Sequence, residues 1–334
     1  MIISRTPFRI SFFGGGTDYP AWYKKNKGAV LATSINKYCY INCRYLPPFF
    51  EHKYRIVYGI QEKVKKISEI QHPAVREGLY FMNIDKGVEI HHDGDLPARA
   101  GLGTSSSFTV GLLNALYALK GKMVAKRQLA LDAIHVEQER IKENVGSQDQ
   151  VTAAFGGLNK IVFDGDYEFI VQPVTIKPEK NDLLQKHLML FFTGFSRTAS
   201  DIAAEQIKKT PKKEKELRRM HEMVDEAIDI LNDDDLDLTD FGKLLHESWM
   251  IKRKLTDKIT TEKIDKIYES AIKAGAIGGK LLGAGGGGFM LFFVEPKKQE
   301  KVKEKFKNLL YVPFKFEDLG SQIIYYTRGE EEYL

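Results

Sequence analysis

A glycine-rich turn followed by a run of hydroxyl residues lies in the N-terminal half of the chain. In LPARAGLGTSSSF, residues 96–108, Gly101 and Gly103 can adopt positive φ angles, and residues 104–107 supply hydroxyl groups where an apolar helix begins. The free N–H groups of a first helical turn, together with the helix dipole, bind anions, and a serine there can reach Mg²⁺. The segment predicts a polyphosphate site, although a turn that only caps a buried helix has the same composition.

Two other phosphate motifs are excluded. The sequence contains no Walker A string, and Gly283, Gly285 and Gly288 match a dinucleotide fingerprint only by coincidence, because a strand-like run follows where that fingerprint needs a helix. So many glycines in GAGGGG, residues 283–288, carry a large entropic cost. This cost indicates close approach to a ligand or to another loop, rather than only a tight connection.

Carboxylates that could act beside a phosphate site occur in two neighbouring helices. Asp149, in GSQDQ, is predicted in the first turn of a short helix that Ser147 and Gln150 begin as a capping box. It could handle an acceptor proton, although the helix dipole alone also favours an acid there. Glu137 and Glu139 lie on the preceding predicted helix, and a divalent cation that bridges phosphates needs such a carboxylate beside a hydroxyl. Either glutamate could instead be solvated.

The N-terminal segment RTPFRISFFGGGTDYP, residues 5–20, places a cation and an acid around three glycines. Arg9 is predicted on a strand, and Asp18 follows the glycines. An ionised aspartate accepts hydrogen bonds from adjacent sugar hydroxyls, and its structural alternative is an Asx turn before Pro20.

The elements that position these residues indicate an α+β fold with two domains, at 1–178 and 179–334. Strands are predicted at 9–13, 28–35, 38–45, 54–58, 88–92, 187–192, 289–294 and 322–326, and helices at 105–120, 126–142, 147–155, from 200 onward, 241–255 and 264–274. The polar segment KPEKND, from Lys177, marks the boundary.

Length and composition describe an ordinary globular protein. A chain of 334 residues predicts two domains, and 43% hydrophobic with 28% charged residues excludes a disordered chain. A net charge of +5 favours anionic small substrates over nucleic acid, and no apolar run could span a membrane. No export signal is recognisable, so we expect a cytoplasmic protein with Cys39 and Cys43 as reduced core residues.

Three segments together resemble the GHMP small-molecule kinases, the superfamily of galactokinase, homoserine kinase, mevalonate kinase and phosphomevalonate kinase. RTPFRISFFGGGTD resembles the first motif of that superfamily, LPARAGLGTSSS its phosphate-binding motif and KLLGAGGGGF its third. Within it, GGGTDYP, VGSQDQ and TGFSR look most like the D-glycero-D-manno-heptose 7-phosphate kinases. Galactokinases differ, because they carry Glu-His where this chain has Gly15 and Gly16.

The resemblance implies a fold, cofactors and roles. The fold would be the two-domain α+β architecture with a ribosomal-protein-S5-domain-2-like N-terminal domain and a ferredoxin-like α/β sandwich, and the cofactors would be ATP and Mg²⁺. Asp149 matches the catalytic aspartate and Arg9 its arginine; Ser105 matches the magnesium-binding serine and Glu139 the magnesium-binding glutamate, with Glu137 as the alternative. The implied ATP-binding residues are Pro97, Arg99, Ala100, Gly101, Leu102, Gly103, Thr104, Ser105, Ser106 and Ser107. The implied substrate-binding residues are Gly15, Gly16, Thr17, Asp18, Arg197, Gly285 and Gly286.

The family's acceptor is the anomeric hydroxyl of a heptose that already carries a distal phosphate. A second anion site is therefore expected, for which Arg197 is the main candidate, with Lys37 and Arg99 as alternatives. Three other functions stay open: a kinase of the same fold for fucose, glucuronate or mannose 6-phosphate, a non-catalytic nucleotide or sugar sensor, and a decarboxylating lyase. The expected partners are small molecules, with no nucleic acid and no membrane; whether the chain forms a homodimer is left open.

Overall fold

A computed structural model describes residues 1–98, 100–165, 168–194 and 199–327. The strands are β1 Ile2–Phe13, β2 Gly28–Tyr45, β3 Tyr54–Val57, β4 Gln61–Val64, β5 Val88–Gly94, β6 Leu158–Asp164, β7 Glu168–Pro173, β8 Leu188–Phe192, β9 Ala276–Leu281, β10 Phe289–Val294, β11 Leu310–Tyr311, β12 Phe316–Glu317 and β13 Gln322–Tyr326. The helices are α1 Pro20–Tyr23, α2 Pro73–Phe81, α3 Thr104–Leu119, α4 Lys126–His135, α5 Gln148–Phe155, α6 Pro178–His187, α7 Ala199–Lys209, α8 Glu214–Asn232, α9 Thr239–Lys252, α10 Glu262–Ala274 and α11 Gln299–Lys305.

The first sheet is built around the long strand β2. Within the described residues it has the order β13-β1-β2-β5-β3-β4, and β6 and β12 also pair with β2. β2 pairs antiparallel with β1 along nearly its whole length, with β6 through residues 28–33 and with β5 through residues 39–45. The two strands predicted at 28–35 and 38–45 are therefore one strand that exchanges partners midway. Cys39 and Cys43 are buried on it as free thiols.

The second sheet is smaller, with the antiparallel order β11-β8-β10-β9. β10, FMLFFV, is buried at every residue, as an apolar run without alternation predicts for a central strand. β9 reaches β10 through a glycine-rich loop, residues 282–288, and this loop packs against Ala100 and Gly101 before α3.

The predicted helices that carry site residues are present, with two differences. α3 begins directly after Gly103 and is buried at most positions, and α5 carries Asp149 in its first turn. The helix predicted at 126–142 changes to π-helical turns at Val136–Arg140. The capping box predicted for Ser147 and Gln150 is wrong: the Ser147 hydroxyl bonds instead with Tyr23, 3.0 Å away.

The end of the described chain returns to the first sheet. β13 pairs antiparallel with β1, and β12 pairs with β2. β12 and β13 lie after the predicted division at residue 178, yet they pair with strands of the first sheet.

The two halves pack directly on each other. Phe12 and Phe13 both meet Phe241 edge to face, with ring centroids 5.5 and 5.1 Å apart. Phe12 lies at a β-bulge between Ser11 and Phe13, and its carbonyl accepts a 2.7 Å hydrogen bond from Lys280 Nζ of β9. Across the described ranges, we find no helix with the length and apolar character needed to cross a bilayer.

Candidate active site

A cavity of about 820 Å³ lies where the three glycine-rich segments meet. The first segment contributes Gly15 and Gly16 to its wall, the second contributes Gly101 and Gly103, and the third contributes Gly283. Segments that lie far apart in sequence thus form one site between the two halves.

The turn before α3 is shaped by two left-handed glycines. Gly101 has φ +86° and Gly103 has φ +71°, a region that residues with a Cβ rarely adopt. A Cβ on Gly101 would lie 2.5 Å from the Leu282 carbonyl oxygen, and a Cβ on Gly283 would lie 2.5 Å from Gly101 Cα. The third glycine segment is therefore packed against the second, as its composition indicated.

Arg9 and Asp149 form a two-pronged ion pair beside this turn. Arg9 Nε donates to Asp149 Oδ1 at 2.7 Å, and Nη2 donates to Oδ2 at 2.8 Å. The remaining Nη1 donates to the Gly101 carbonyl at 2.7 Å. The Arg9 side chain is 5% exposed and that of Asp149 is 15% exposed, so the carboxylate still reaches the cavity. Each carboxylate oxygen keeps a lone pair for an acceptor hydroxyl.

Asp18 forms a second buried carboxylate in the same cavity. Its Oδ1 accepts a 2.8 Å hydrogen bond from the Gly16 amide, and burial raises the pKa of Asp18, with nearby Asp149 adding to the effect. The neighbouring Thr17 does not line the cavity, because its hydroxyl donates to the carbonyls of Gly14 and Ala29. Thr17 therefore holds the turn that presents Asp18.

Glu137, and not Glu139, lies against the serine helix. Ser106 Oγ donates to Glu137 Oε2 at 2.9 Å, Gln150 donates to the same oxygen, and Glu137 Oε1 is buried with no partner. Burial raises the pKa of Glu137 to about 7. Glu139 is exposed, and neither glutamate is part of the cavity wall: Glu137 is buried behind Ser106, which does line it.

The predicted ATP-binding residues divide into two groups. Gly101, Gly103, Thr104, Ser105 and Ser106 line the cavity. The others serve the loop or lie outside the wall: the Ala100 carbonyl accepts from Phe289 N, the Leu102 carbonyl from Arg9 N, Ser107 donates to Pro7, and Pro97 is exposed.

The predicted substrate contacts are only partly brought together. Gly15, Gly16 and Asp18 line the cavity, whereas Gly285 and Gly286 pack on Ile259, and Gly283 and Ala284 take the wall position. Lys37 lies on β2 away from the wall. Arg99 and Arg197 lie outside the described residues.

An aromatic group at one end of the cavity was missed from sequence. The His72 and Phe108 rings stack with centroids 4.5 Å apart, and Tyr58 meets His72 edge-on at 4.7 Å. His92 meets Phe108 at 5.0 Å. No motif joins these residues, because they come from four separate segments; only Phe108 adjoins the serine run.

Four polar residues of the cavity wall were also missed. Ser11 Oγ and Gln148 Oε1 are buried without partners, and Lys252 and Lys280 are buried ammonium groups from the second half. Gln148 adjoins Asp149 and Lys280 precedes the third glycine segment, so proximity to the motifs could have indicated both.

The residues present fit a magnesium ion held chiefly by nucleotide phosphates. Within the described ranges no group of three or more His, Cys, Asp or Glu side chains could hold a metal by itself. Ser105 is exposed at the cavity, and Glu137 has a buried oxygen without a partner beside the same helical turn. One hydroxyl and one carboxylate beside phosphates are typical of protein Mg²⁺ sites.

The fold and the site define a class of protein. The GHMP kinases N terminal domain matches residues 62–157, and the GHMP kinases C terminal domain matches residues 232–312. The chain belongs to the GHMP kinase family, whose members are ATP-dependent phosphotransferases, and the expected two-domain α+β architecture is confirmed. Among its relatives is the D-glycero-alpha-D-manno-heptose 7-phosphate kinase of Campylobacter jejuni, 32% identical over 329 residues that cover 93% of this chain and 95% of the relative.

More distant relatives are also similar over most of the length of this chain. A galactokinase of Thermococcus kodakarensis is 25% identical over 342 residues, covering 89% of this chain and 90% of the galactokinase. The crystal structure of a D-glycero-D-manno-heptose 1-phosphate kinase from Bacteroides thetaiotaomicron has a TM-score of 0.78 at 23% identity, covering 98% of this chain and 100% of that one. At this identity the structural likeness carries the fold alone.

Proposed function

We propose that the protein is an ATP- and Mg²⁺-dependent sugar kinase that phosphorylates the anomeric hydroxyl of D-glycero-D-manno-heptose 7-phosphate to give the 1,7-bisphosphate. The relative from Campylobacter jejuni, alike over nearly the whole of both chains, supports the acceptor. Such a product would serve the synthesis of a nucleotide-activated heptose.

The observation that carries the proposal is the Arg9–Asp149 pair beside the left-handed turn of α3. The acceptor hydroxyl donates its proton to Asp149 while its oxygen attacks the γ-phosphorus of ATP. The bond from that phosphorus to the β–γ bridging oxygen breaks, and ADP leaves with the electron pair. Arg9 holds the carboxylate in place and offsets charge that develops on the phosphoryl group.

The rest of the cavity divides between donor and acceptor. The amides at the start of α3 suit the ATP phosphates, and the apolar and aromatic end around His72 and Phe108 suits the adenine ring. When bound, Mg²⁺ would neutralise charge on the phosphates, and Ser105 and Glu137 are the residues that would hold it. Asp18 suits the hydroxyls of the sugar, and Ser11 and Gln148 offer unpaired polar atoms at the same end.

Phosphorus NMR of the reaction with ATP and heptose 7-phosphate tests the proposal. We expect a new anomeric phosphate signal coupled to H1 and ADP formed in equal amount. ATP bound without sugar-stimulated ADP formation would instead identify a sensor, and release of CO₂ from a phosphorylated acid would identify a lyase.

A second sugar has specific support. A bifunctional fucokinase/GDP-fucose pyrophosphorylase of Arabidopsis thaliana is 24% identical over 328 residues, covering 89% of this chain but only 30% of that enzyme. A panel of heptose 7-phosphate, fucose, glucuronate and mannose 6-phosphate separates the acceptors. Phosphorylation of free hexoses as fast as of heptose 7-phosphate would contradict the proposed acceptor.

A further inference from the structure

Lys252 occupies a position where an apolar residue would be expected. It ends α9 on the face that carries Leu245 and Trp249, which lie seven and three residues earlier, the spacing of a buried helix face. Only 6% of Lys252 is exposed, yet it lines the cavity. Its Nζ donates to the carbonyls of Leu281 at 3.2 Å and Gly283 at 2.5 Å, so one of its three N–H groups stays available.

The charge of Lys252 has no carboxylate partner. In the described part of the chain, no Asp or Glu oxygen lies within 4.0 Å of its Nζ, and the same holds for Lys280, the other buried lysine of the cavity. Both carboxylate oxygens of nearby Asp149 are taken by Arg9. Asp18 and Glu143 are the other carboxylates of the cavity wall, and neither forms an ion pair with Lys252 or Lys280. A buried charge without a partner costs several kcal/mol, and an anionic ligand would remove this cost.

The contacts of Lys252 locate such an anion. The Gly283 carbonyl that holds its Nζ belongs to the residue packed on Gly101, and the Gly101 carbonyl in turn holds Arg9. Lys252 therefore faces the N-terminal end of α3 from the second half of the chain, across from the Arg9–Asp149 pair.

We propose that Lys252 binds a phosphoryl oxyanion in this cavity and is a further catalytic residue. The proposal rests on the proposed function only in placing phosphoryl chemistry at this site. A neutral hydroxyl would leave the two buried ammonium groups uncompensated, whereas a phosphoryl group would neutralise them. Two phosphoryl groups could supply the oxyanion: the γ-phosphoryl of ATP and the phosphate that the acceptor already carries.

Burial, with Arg9 adding to the effect, lowers the pKa of Lys252 to about 8, and an adjacent oxyanion would raise it again.

Calorimetric titrations of the full chain distinguish the two sources. Wild type, Lys252→Met, Lys252→Arg and the exposed neighbour Lys254→Met are titrated with ADP, a non-hydrolysable ATP analogue, heptose 7-phosphate and unphosphorylated heptose. We expect Lys252→Met to reduce one of two binding preferences about 10-fold or more. Loss of the preference for the ATP analogue over ADP would identify the γ-phosphoryl group as the ligand of Lys252. Loss of the preference for heptose 7-phosphate over heptose would identify the phosphate of the acceptor. Lys252→Arg should retain part of the preference, and Lys254→Met should match wild type.

A purely structural role gives a different result. If Lys252 only holds the Leu281 and Gly283 carbonyls, Lys252→Met lowers the unfolding temperature but changes both preferences less than twofold, and the proposal is overturned. Should that variant not fold, Lys252→Gln keeps a donor for the carbonyls without the charge and gives the same comparison. The nucleotide titrations need no sugar, so failure of heptose 7-phosphate as a substrate would leave this test intact.

Discussion

The Arg9 guanidinium is surrounded by acceptors that match its donors. Two donors meet Asp149 and a third meets the Gly101 carbonyl, so one side chain joins β1, the phosphate loop and α5. A two-pronged pair of this kind fixes the orientation of the carboxylate as well as its distance from the loop. Lysine at position 9 could not make these three contacts in one plane.

Substitution of Asp149 tests its role in phosphoryl transfer. We expect Asp149→Asn to reduce turnover about 100-fold or more, because the amide keeps the shape but cannot take the acceptor proton. Binding of an ATP analogue should persist. Asp164→Asn, at an exposed end of β6 where the aspartate is 55% exposed beside Lys27, is the control and should keep full activity. Turnover of Asp149→Asn within threefold of wild type would remove the assigned role.

The buried Lys252 makes the free energy of unfolding of the ligand-free protein depend on pH in the alkaline range. Its pKa is lowered from 10.5 to about 8 in the folded state, where Arg9, Lys280, Asp18 and Asp149 face it. Between these two pKa values the unfolded chain binds more protons than the folded chain, so the free energy of unfolding rises with pH. The cost of burying the charged ammonium group, on the order of 3 kcal/mol, is fully present below about pH 8 and disappears as the pH approaches 10.5.

Urea unfolding of wild type and Lys252→Met from about pH 7 to about pH 10 measures this effect. The free energy of unfolding of wild type should rise as the pH increases above about 8, whereas that of Lys252→Met should lack this rise. The difference between the two should therefore shift steadily in favour of wild type. If the difference in the free energy of unfolding between wild type and Lys252→Met stays constant across this range, the buried charge of Lys252 does not destabilise the protein.

Residues that adjoin a local sequence signal could be predicted from sequence, and residues without one could not. Arg9 and Asp18 adjoin the first glycine segment, Asp149 follows the signal of a helix start in GSQDQ, and the structure brings all three to one cavity. Lys252 has no neighbouring signal apart from a charge on an apolar helix face. Glu137, and not Glu139, contacts Ser106, and side-chain periodicity does not indicate the π-helical turns that carry both glutamates.

At the scale of elements, the phosphate loop depends on contact with the third glycine segment. Gly101→Ala adds two costs, because φ is +86° and the new Cβ would lie 2.5 Å from the Leu282 carbonyl. We expect it to lower the free energy of unfolding by roughly 2 to 4 kcal/mol and to abolish most nucleotide binding.

Gly121→Ala is the matched control, because Gly121 is also left-handed, with φ +67°, but has open space around its Cβ position. It should lose only about 1 kcal/mol, the cost of the backbone conformation. Urea unfolding and calorimetry with an ATP analogue measure both variants. Equal losses in the two would mean that the contact between the loops contributes nothing.

Most elements follow from local patterns, and their errors have local causes. The apolar runs predict β10 and α3 correctly because each is buried throughout its length. β2 appears in sequence as two strands, because its side-chain alternation is interrupted at the midpoint, where β6 and β5 exchange as partners. The Ser147 hydroxyl is taken by Tyr23, a tertiary partner that a local capping rule cannot include.

At the scale of the whole molecule, the end of the described chain supports α5, the helix that carries Asp149. Ser321 N donates to the Ala153 carbonyl of α5 at 2.8 Å. The Ser321 hydroxyl hydrogen-bonds with the Thr6 hydroxyl at 2.8 Å and accepts from the side-chain amide of Asn114 at 3.0 Å. This link joins β1, α3 and α5, the three elements that carry Arg9, the serines and Asp149. The sequence does not indicate this link, because its partners lie more than 100 residues apart and no local pattern joins them.

Gly320 tests whether this remote contact sets the position of Asp149. A Cβ on Gly320 would lie 2.1 Å from the Ala154 carbonyl oxygen, so Gly320→Ala must push the end of α5 away from the returning chain. We expect turnover to fall about 10-fold while the KM for ATP changes little, because tilting α5 displaces Asp149 but leaves the start of α3 in place. Gly94→Ala is the control, since its Cβ would have only an ordinary 3.4 Å contact with Leu96. Steady-state kinetics and thermal unfolding of both variants test this prediction. If Gly320→Ala matches Gly94→Ala in turnover, the geometry of the Arg9–Asp149 pair is fixed within the first 155 residues and the chain end contributes only stability.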